Sequence, residues 1–218
     1  FINGKPAGTH RGGYTSFCFD ITELCAEGEN RLTVYSADDN RHGAQPHGKQ
    51  SELFYSHDCD YTRTTGIWQT VWLEFVPVSY IKSVQYFPNI AAGTLTVQAQ
   101  LCGAGEFSVQ SSFEGRPCGE ASVRAENGTA CVTIALAETH LWDVGQGNLY
   151  DLTLRFGEDE VKSYAGMREV RIDGMRVLLN GRPVFQRLVL DQGFYPDGIY
   201  TAPDEAALVR DIELSLAA

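Results

Sequence analysis

The sequence has no long hydrophobic run and no excess of positive charge. No apolar stretch approaches the roughly 20 residues that a membrane-spanning helix needs. Lys and Arg number 17 against 28 Asp and Glu, which gives a formal net charge of −11. Nucleic-acid surfaces need clustered basic residues to neutralise phosphates, and anionic membranes would repel this chain. The sequence therefore predicts neither of these partners, whereas a neutral ligand such as a sugar fits its charge.

The chain also lacks a recognisable leader and the cysteine spacing of a zinc site. It begins Phe1-Ile2-Asn3, with no basic or apolar leader region. This absence says little about the compartment, because a signal peptide could have been lost along with a missing N-terminal portion. The cysteines are the reason to expect a cytoplasmic protein. The six cysteines contain no CxxC pair, which favours thiols in a reducing compartment. A disulfide from Cys102 to Cys118 or Cys131 is the alternative.

Common catalytic signatures are absent as well. The sequence contains no GxSxG, HExxH, P-loop or dinucleotide-binding glycine motif. A retaining glycosidase needs two carboxyl groups about 5–5.5 Å apart, and no two acids are convincingly paired for that task. We predict no cofactor for this chain, and a divalent cation in a full-length enzyme is left open.

What the sequence does contain is mainly a β pattern. Residues 78–172 hold six or seven short alternating runs broken by Gly, Pro or Asn-Gly, which predicts a small β-sandwich. Before it, residues 31–36 predict a strand and residues 66–78 a buried strand. The Asn-Gly pairs at 3–4 and 180–181 predict tight hairpin turns, and the pair at 127–128 predicts a turn.

The last part of the chain has a different pattern. Residues 183–190 (PVFQRLVL) predict a strand, which the loop DQGFYPDG at 191–198 follows. A helix comes next, for which Thr201 is the predicted N-cap. Leu208, Ile212 and Leu216 recur at the spacing of one apolar helix stripe. A strand, a loop and a helix in that order form one βα unit, the repeating element of parallel α/β barrels.

Two segments carry candidate binding residues. The irregular segment 37–66 combines acidic, histidine and aromatic residues, including Asp39, Asp60 and Tyr61. Carboxylates can accept hydrogen bonds from sugar hydroxyls, and aromatic faces pack on the apolar face of a sugar ring. Two alternatives stay open: a Ca²⁺ or Mg²⁺ site at Asp38-Asp39-Asn40 or Asp58-x-Asp60, and a solvated acidic loop.

The second segment is the loop that follows the predicted strand 183–190. In α/β barrels, ligands meet side chains at the C-terminal ends of strands and in the loops that follow them. Asp191 and Gln192 lie at that edge. The alternative is an ordinary turn, for which Pro196-Asp197-Gly198 has suitable residues.

Several stretches resemble, in order, glycoside hydrolase family 2, which includes bacterial β-galactosidases and β-glucuronidases. They are NGKPAGTHRGGYTSFCFDIT, GENRLTVYS, DYTRTTGIWQTVWLE, LLNGRPVFQRLVLDQGFYP and DEAALVRDIELSLAA. The resemblance implies a mainly β chain of three units. These are an N-terminally truncated jelly-roll sugar-binding domain (1–77), an immunoglobulin-like β-sandwich (78–172) and the truncated start of a catalytic (β/α)₈ barrel (173–218).

The resemblance also implies a function. The chain would be a segment of a retaining exo-glycosidase that hydrolyses terminal β-glycosides, with a β-galactoside favoured. Both catalytic glutamates would lie outside it, so no catalytic or metal-binding residue is expected within the chain. The predicted substrate-binding residues are Asp60, Asp191, Gln192 and Asp39. A free-standing carbohydrate-binding module and a purely structural β-sandwich are the alternatives, and a homo-oligomer is left open.

Overall fold

A computed structural model describes residues 1–39, 41–42 and 44–218. The chain divides into two compact units. One consists of Phe1–Trp72 with Leu190–Ala218, and the other of Leu73–Val189.

The unit Leu73–Val189 contains a sandwich of two antiparallel sheets. Its first seven strands are β1 (Tyr80–Asn89), β2 (Thr94–Cys102), β3 (Gly105–Phe113), β4 (Arg116–Ala125), β5 (Thr129–Ala135), β6 (Tyr150–Phe156) and β7 (Asp159–Ala165). One sheet has the order β1-β2-β5 and the other the order β4-β3-β6-β7. The predictions of a mainly β chain and of a sandwich in this region are confirmed.

Alternation along the strands builds the core of this sandwich. In β5 and β6, every second residue is buried. Side chains of a strand point alternately to its two faces, so this pattern gives each sheet one apolar inner face. The largest fully buried side chains of the sandwich strands come from both sheets: Leu95, Val97, Phe107, Val109, Ile134, Tyr150, Leu152, Leu154 and Phe156.

Tyr150 closes the turn that leads into β6. Its hydroxyl donates a hydrogen bond to the carbonyl oxygen of Glu138 (2.9 Å) and accepts one from the backbone N–H of His140 (2.6 Å). Its ring contacts that of Phe113 in β3, with centroids 5.2 Å apart. Burial raises the pKa of the Tyr150 hydroxyl, so the group stays protonated and remains a donor at neutral pH.

A small third sheet follows the sandwich and contains one of the predicted hairpins. Its strands are β8 (Val170–Asp173), β9 (Arg176–Leu179) and β10 (Arg182–Pro183). Asn180 and Gly181 form the turn between β9 and β10. Their φ angles of 51° and 76° are both positive, as the tight hairpin turns favoured by Asn-Gly require. Asn127-Gly128 also forms a turn, but it joins β4 to β5 in different sheets and is therefore not a hairpin.

The other unit has little regular structure in its described residues. It contains a 3₁₀ turn at Thr22–Leu24 and a helix, α1, at Glu205–Ala217. Its β structure consists of isolated bridges, among them Ile2 with Lys5 around the predicted Asn3-Gly4 turn. Among the described residues of the chain, no helix has the length and apolarity needed to cross a membrane.

Three predicted strands are wrong. Residues 31–36 form only a single bridge, from Leu32 to Ile2, and residues 66–78 form no strand. The predicted strand 183–190 retains only Pro183, as the end of β10. A strand needs a neighbour that takes up its backbone hydrogen bonds along its length. Arg31 and Thr33 share a few with Phe1 and Asn3, and Val184 N donates to the carbonyl oxygen of Val177, but in the described residues no ladder forms along any of the three segments. Residues 66–78 are also not buried, since Phe75 is 95% exposed.

The predicted cap of the helix is corrected as well. Asp204 is the N-cap of α1, because its backbone is extended and its carboxylate accepts a hydrogen bond from Ala207 N. Thr201 lies further upstream, and its hydroxyl donates to the carbonyl oxygen of Trp68. The predicted apolar stripe of α1 is largely exposed, from 51% at Leu208 to 82% at Leu216.

Candidate functional site

A row of aromatic rings runs through the unit that contains α1. Tyr61 stacks on Phe194 with ring centroids 4.3 Å apart. Phe194 meets Tyr200 edge to face, Tyr200 meets Trp68, and Trp68 meets Tyr14, each with centroids 6.3 Å apart. Such contacts add to the stability gained from ring burial. The row therefore gives this part of the chain an ordered aromatic surface despite its lack of strands.

A cavity of about 280 Å³ lies beside this row. Its lining residues are Lys49, Tyr61, Leu190, Gln192 and Tyr200. The side-chain oxygen of Gln192 accepts hydrogen bonds from Lys49 Nζ (2.9 Å) and from the Tyr61 hydroxyl (2.7 Å). A carbonyl-type oxygen has two lone pairs, so this amide has only its N–H groups left for a ligand.

Backbone pairing holds Lys49 beside Tyr61. Tyr61 N donates to the carbonyl oxygen of Lys49, and Ser51 N donates to that of Tyr61, both at 2.7 Å. Ser51 is fully buried, and its hydroxyl accepts a hydrogen bond from Leu53 N. Backbone hydrogen bonds thus join the segment of Lys49 directly to that of Tyr61.

The loop that supplies Gln192 is held by its own contacts. Tyr195 and Ile199 exchange backbone hydrogen bonds, and the Tyr195 hydroxyl donates to the carboxylate of Asp211 in α1 at 2.5 Å. The hydrogen bond from Tyr195 to Asp211 raises the pKa of the Tyr195 hydroxyl to about 12. The loop is therefore fastened to the helix that follows it.

The Tyr200 hydroxyl is the most unusual polar group of the cavity. Its oxygen is buried and has no hydrogen-bond partner among the described residues. Burial raises its pKa, with smaller contributions from Tyr14, Tyr61 and Asp60. Leaving a buried hydroxyl without a partner costs on the order of 1–3 kcal/mol. Because solvent does not reach this oxygen, Tyr200 lines the cavity with other atoms of its side chain.

Asp60 ends a tight turn, and the cavity residue Tyr61 follows it in the sequence. His57 and Asp60 exchange backbone hydrogen bonds of 3.0 and 2.8 Å. The ligand atoms of Glu52, His57 and Asp60 all lie within 4.8 Å of one another. Two carboxylates and an imidazole are suitable donors for a metal ion. In this structure, the two ring nitrogens of His57 lie 3.3 Å from Glu52 and 3.2 Å from Asp58.

These hydrogen bonds predict the titration of His57. The hydrogen bond to Asp58, followed by the one to Glu52, raises the pKa of His57 above its ordinary value of 6.5. The stability that they add to the turn is therefore complete below about pH 6.5 and is lost as the pH rises through the raised value. We expect NMR titration of the histidine rings to place His57 above 6.5. Glu52→Gln should move its pKa back toward 6.5.

The same charge change elsewhere is the control for this titration. Glu114→Gln removes an exposed carboxylate from the other unit, where Glu114 pairs with Arg116, and should leave the titration of His57 unchanged. An unperturbed His57 pKa in the parent chain would contradict the geometry of the turn.

The four predicted binding residues are placed differently in the structure. Gln192 lines the cavity, and Asp60 directly precedes its lining residue Tyr61. Neither Asp39 nor Asp191 is among the lining residues. Asp39 accepts hydrogen bonds from the backbone N–H groups of His42 and Arg41, which lower its pKa. Asp191 accepts one from Gly193 N.

The alternative cation site, the lining residues and the cysteines can also be compared with the sequence predictions. The alternative cation site at Asp38-Asp39-Asn40 includes Asn40, which lies outside the described residues. Lys49, Phe194 and Tyr200 were not predicted from the sequence. Lys49 and Tyr200 carry no local motif, and Phe194 lies within a loop that was chosen for its acid and amide. The six cysteines are free thiols in the structure, and Cys118 is buried.

Comparison with curated proteins finds relatives along most of the chain. A putative β-glucuronidase of Formosa agariphila is 27% identical over 212 residues, covering 83% of this chain and 24% of the relative. A β-galactosidase of Streptococcus thermophilus is 26% identical over 198 residues, covering 84% of this chain and 18% of the relative. The chain thus spans about a quarter or less of the length of these relatives. No protein-family model matches it.

Comparison with solved structures finds the same kind of fold. A β-glucuronidase of Ruminococcus gnavus, solved in complex with C6-substituted uronic isofagomine, matches with a TM-score of 0.74 at 20% identity. The match covers 98% of this chain and 38% of that chain. At this identity, the likeness concerns the fold.

Proposed function

The chain is similar along most of its length to β-galactosidases and β-glucuronidases, the enzymes of glycoside hydrolase family 2, and from this we propose that it is the non-catalytic part of a retaining exo-glycosidase. The proposed enzyme hydrolyses terminal β-glycosides through a covalent glycosyl-enzyme. Its domains here are a jelly roll (1–77), an immunoglobulin-like sandwich (78–172) and the start of a catalytic barrel (173–218). Its two glutamates lie elsewhere in a longer polypeptide.

The cavity beside the aromatic row supports this proposal from within the chain. Its lining combines the Tyr61 and Tyr200 rings with the Gln192 amide, and Asp60 lies one residue from Tyr61. Aromatic faces with a few convergent polar groups are the usual composition of a small-molecule site, and they suit a sugar ring with its hydroxyls. Asp60 and Gln192 are its first proposed sugar contacts. Asp39 and Asp191 remain proposed contacts, although their carboxylates also accept hydrogen bonds from backbone N–H groups.

Exposed apolar residues outside the cavity also support a larger enzyme. Phe75, Phe185 and Leu188 are each at least 79% exposed, and the stripe of α1 is more than half exposed. Exposed apolar surfaces of this kind mark interaction sites. In the proposal, the stripe of α1 packs within the completed barrel.

The family resemblance favours a β-galactoside as the proposed substrate, and the relatives named β-glucuronidase make a β-glucuronide the second candidate. A cytoplasmic location remains part of the proposal, as does the absence of a cofactor from this chain. A homo-oligomer is left open.

The proposal predicts that the purified 218-residue chain is inactive. Without both glutamates, it should release no chromophore from nitrophenyl β-galactoside or nitrophenyl β-glucuronide. The longer polypeptide that contains it should hydrolyse at least one of them. Turnover by the isolated chain that Asp60→Ala abolishes would overturn the assignment as a non-catalytic part.

A free-standing carbohydrate-binding module is the second candidate, because the aromatic row and cavity lie within the chain itself. Titration calorimetry separates the two. A dissociation constant in the micromolar range for a simple sugar favours the binding module. Binding in the millimolar range favours a pocket that the catalytic barrel must complete.

A further inference from the structure

The two sheets of the sandwich differ in the charge of their outward-facing residues. The outer face of the sheet β4-β3-β6-β7 is charged, and on it Arg155 of β6 pairs with Glu160 of β7 at 2.8 Å. In the strands of the sheet β1-β2-β5, Lys82 is the only charged residue, and it lies in the irregularity just before Ser83. From Ser83 onward, the outward-facing residues of this sheet form what we call the uncharged face: Ser83, Gln85, Phe87, Asn89, Thr94, Thr96, Gln98, Gln100, Thr129, Cys131, Thr133 and Ala135.

Three exposed glutamine side chains lie together on the uncharged face. Gln85 and Gln98 are directly opposite each other on β1 and β2, and Gln100 follows Gln98 on the same face. Among the described residues, none of these three amides has a side-chain hydrogen-bond partner. With Ser83 and Thr129 they line a depression of about 310 Å³. Each amide therefore offers N–H donors and a carbonyl acceptor to a ligand.

An aromatic ring lies beside these amides. Phe87 follows Gln85 on the same face of β1 and is 47% exposed. Opposite Phe87 is Thr96, whose hydroxyl forms a hydrogen bond of 2.9 Å with that of Thr133. The ring is therefore an apolar surface among neutral polar groups, and such a surface can pack on the apolar face of a sugar ring.

The composition of the uncharged face argues against several classes of partner. A nucleic acid or an anionic membrane needs clustered basic residues, which this face lacks. The residues that contribute most to protein interfaces are enriched in Trp, Tyr and Arg, and the face contains none of these types. A neutral ligand with many hydroxyl groups fits, because amides and hydroxyls both donate and accept hydrogen bonds.

We propose that the uncharged face of the sheet β1-β2-β5 binds a neutral glycan chain. Phe87 packs on one sugar ring, and the amides of Gln85, Gln98 and Gln100 contact the hydroxyl groups of the next. From Ser83 to Asn89 the face is about 20 Å long at the usual rise of a strand, so it accommodates several linked sugars. The site goes beyond the proposed function, because it lies in the unit Leu73–Val189 and does not use the cavity of the other unit.

NMR titration of the isotope-labelled 218-residue chain tests this site. The probes are cellohexaose, xylohexaose and mannohexaose as neutral chains, with hexagalacturonate as a charged chain. We expect at least one neutral chain to shift the side-chain amide resonances of Gln85, Gln98 and Gln100. Hexagalacturonate should not shift them, because the face offers no cation to its carboxylates and the net charge of −11 repels it.

Variants then assign the contacts. Gln98→Ala should weaken binding of the neutral chain by about three- to tenfold. Gln110→Ala makes the same change on the charged outer face, where Gln110 contacts Arg155, and should leave the binding unchanged. Phe87→Ala should weaken it by about tenfold or more, whereas Tyr164→Ala removes an exposed ring of β7 as the control. The amide spectrum of each variant verifies that the chain remains folded.

Cys131 shows whether another part of the protein covers the uncharged face instead. It is exposed and lies opposite Gln98, and peptide mass spectrometry can follow its alkylation by iodoacetamide. We expect a saturating neutral chain to slow this alkylation. Protection of Cys131 in the longer polypeptide without any glycan would identify the face as a contact between parts of the protein and would overturn the glycan site.

The titration also separates this site from the proposed function. If no neutral chain shifts the three glutamine resonances, or if Gln98→Ala and Gln110→Ala weaken binding equally, the glycan site is overturned. Neither result changes the expectation that the longer polypeptide hydrolyses a nitrophenyl β-glycoside, because that activity does not depend on the uncharged face.

Discussion

Phe156→Ala is expected to lower the free energy of unfolding of the sandwich by about 3–5 kcal/mol. Phe156 ends β6, is fully buried and lies opposite the equally buried Phe107 of β3. Removing the ring loses its transfer free energy and leaves a cavity in the core. Hydrogen-bonded ladders to β3 and β7 hold β6 on both sides, so the cavity can collapse only in part.

Chemical denaturation followed by far-ultraviolet circular dichroism measures this loss as a shift of the unfolding midpoint. Phe75→Ala is the matched control, because it removes the same ring from a position that is 95% exposed. It should change the free energy of unfolding by no more than about 0.5 kcal/mol. Equal effects of the two substitutions would contradict the burial of Phe156.

The sandwich was predictable because its information is local. Every second residue of β5 and β6 is buried, and each strand of the sandwich finds its partner within the same unit. The Asn180-Gly181 turn was predictable for the same reason, since the two residues adopt the positive φ values that their side chains tolerate. When the pairing partners of a strand lie within the same unit, that strand can be predicted from the sequence alone.

The wrongly predicted strands lack such partners. Residues 66–78 and 183–190 are as rich in β-branched and aromatic residues as the strands of the sandwich. Strand propensity describes how well a side chain fits a pleated, half-buried surface. Where the described residues provide no neighbouring strand, Phe75 and Phe185 have no sheet surface to pack against. Their strand propensity is therefore not realised.

The candidate site was predictable in part. Asp60 and Gln192 were chosen from their local surroundings, and the structure places Gln192 against Tyr61, 131 residues away in the chain. Asp39 and Asp191 have the same chemistry, but their carboxylates accept hydrogen bonds from nearby backbone N–H groups. Lys49 and Tyr200 had no sequence signal, because only the fold brings them to one cavity.

Tyr150→Phe is expected to destabilise the sandwich by about 1–3 kcal/mol, although it removes only one oxygen. The ring keeps its contact with Phe113, so almost no packing is lost. The Glu138 carbonyl and the His140 N–H both lose their hydrogen-bond partner beside a fully buried ring. Polar groups left without a partner away from water retain their desolvation cost.

Tyr164→Phe makes the same change at a position of β7 that is 65% exposed, so water replaces any lost contact and little change is expected. Denaturation of both variants compares the two costs, and amide hydrogen exchange locates the effect. The His140 amide should exchange faster in Tyr150→Phe and at the parent rate in Tyr164→Phe. Loss of stability with unchanged His140 exchange would mean that the hydroxyl does not hold this turn, because the hydrogen bond to that amide is the contact that the substitution removes.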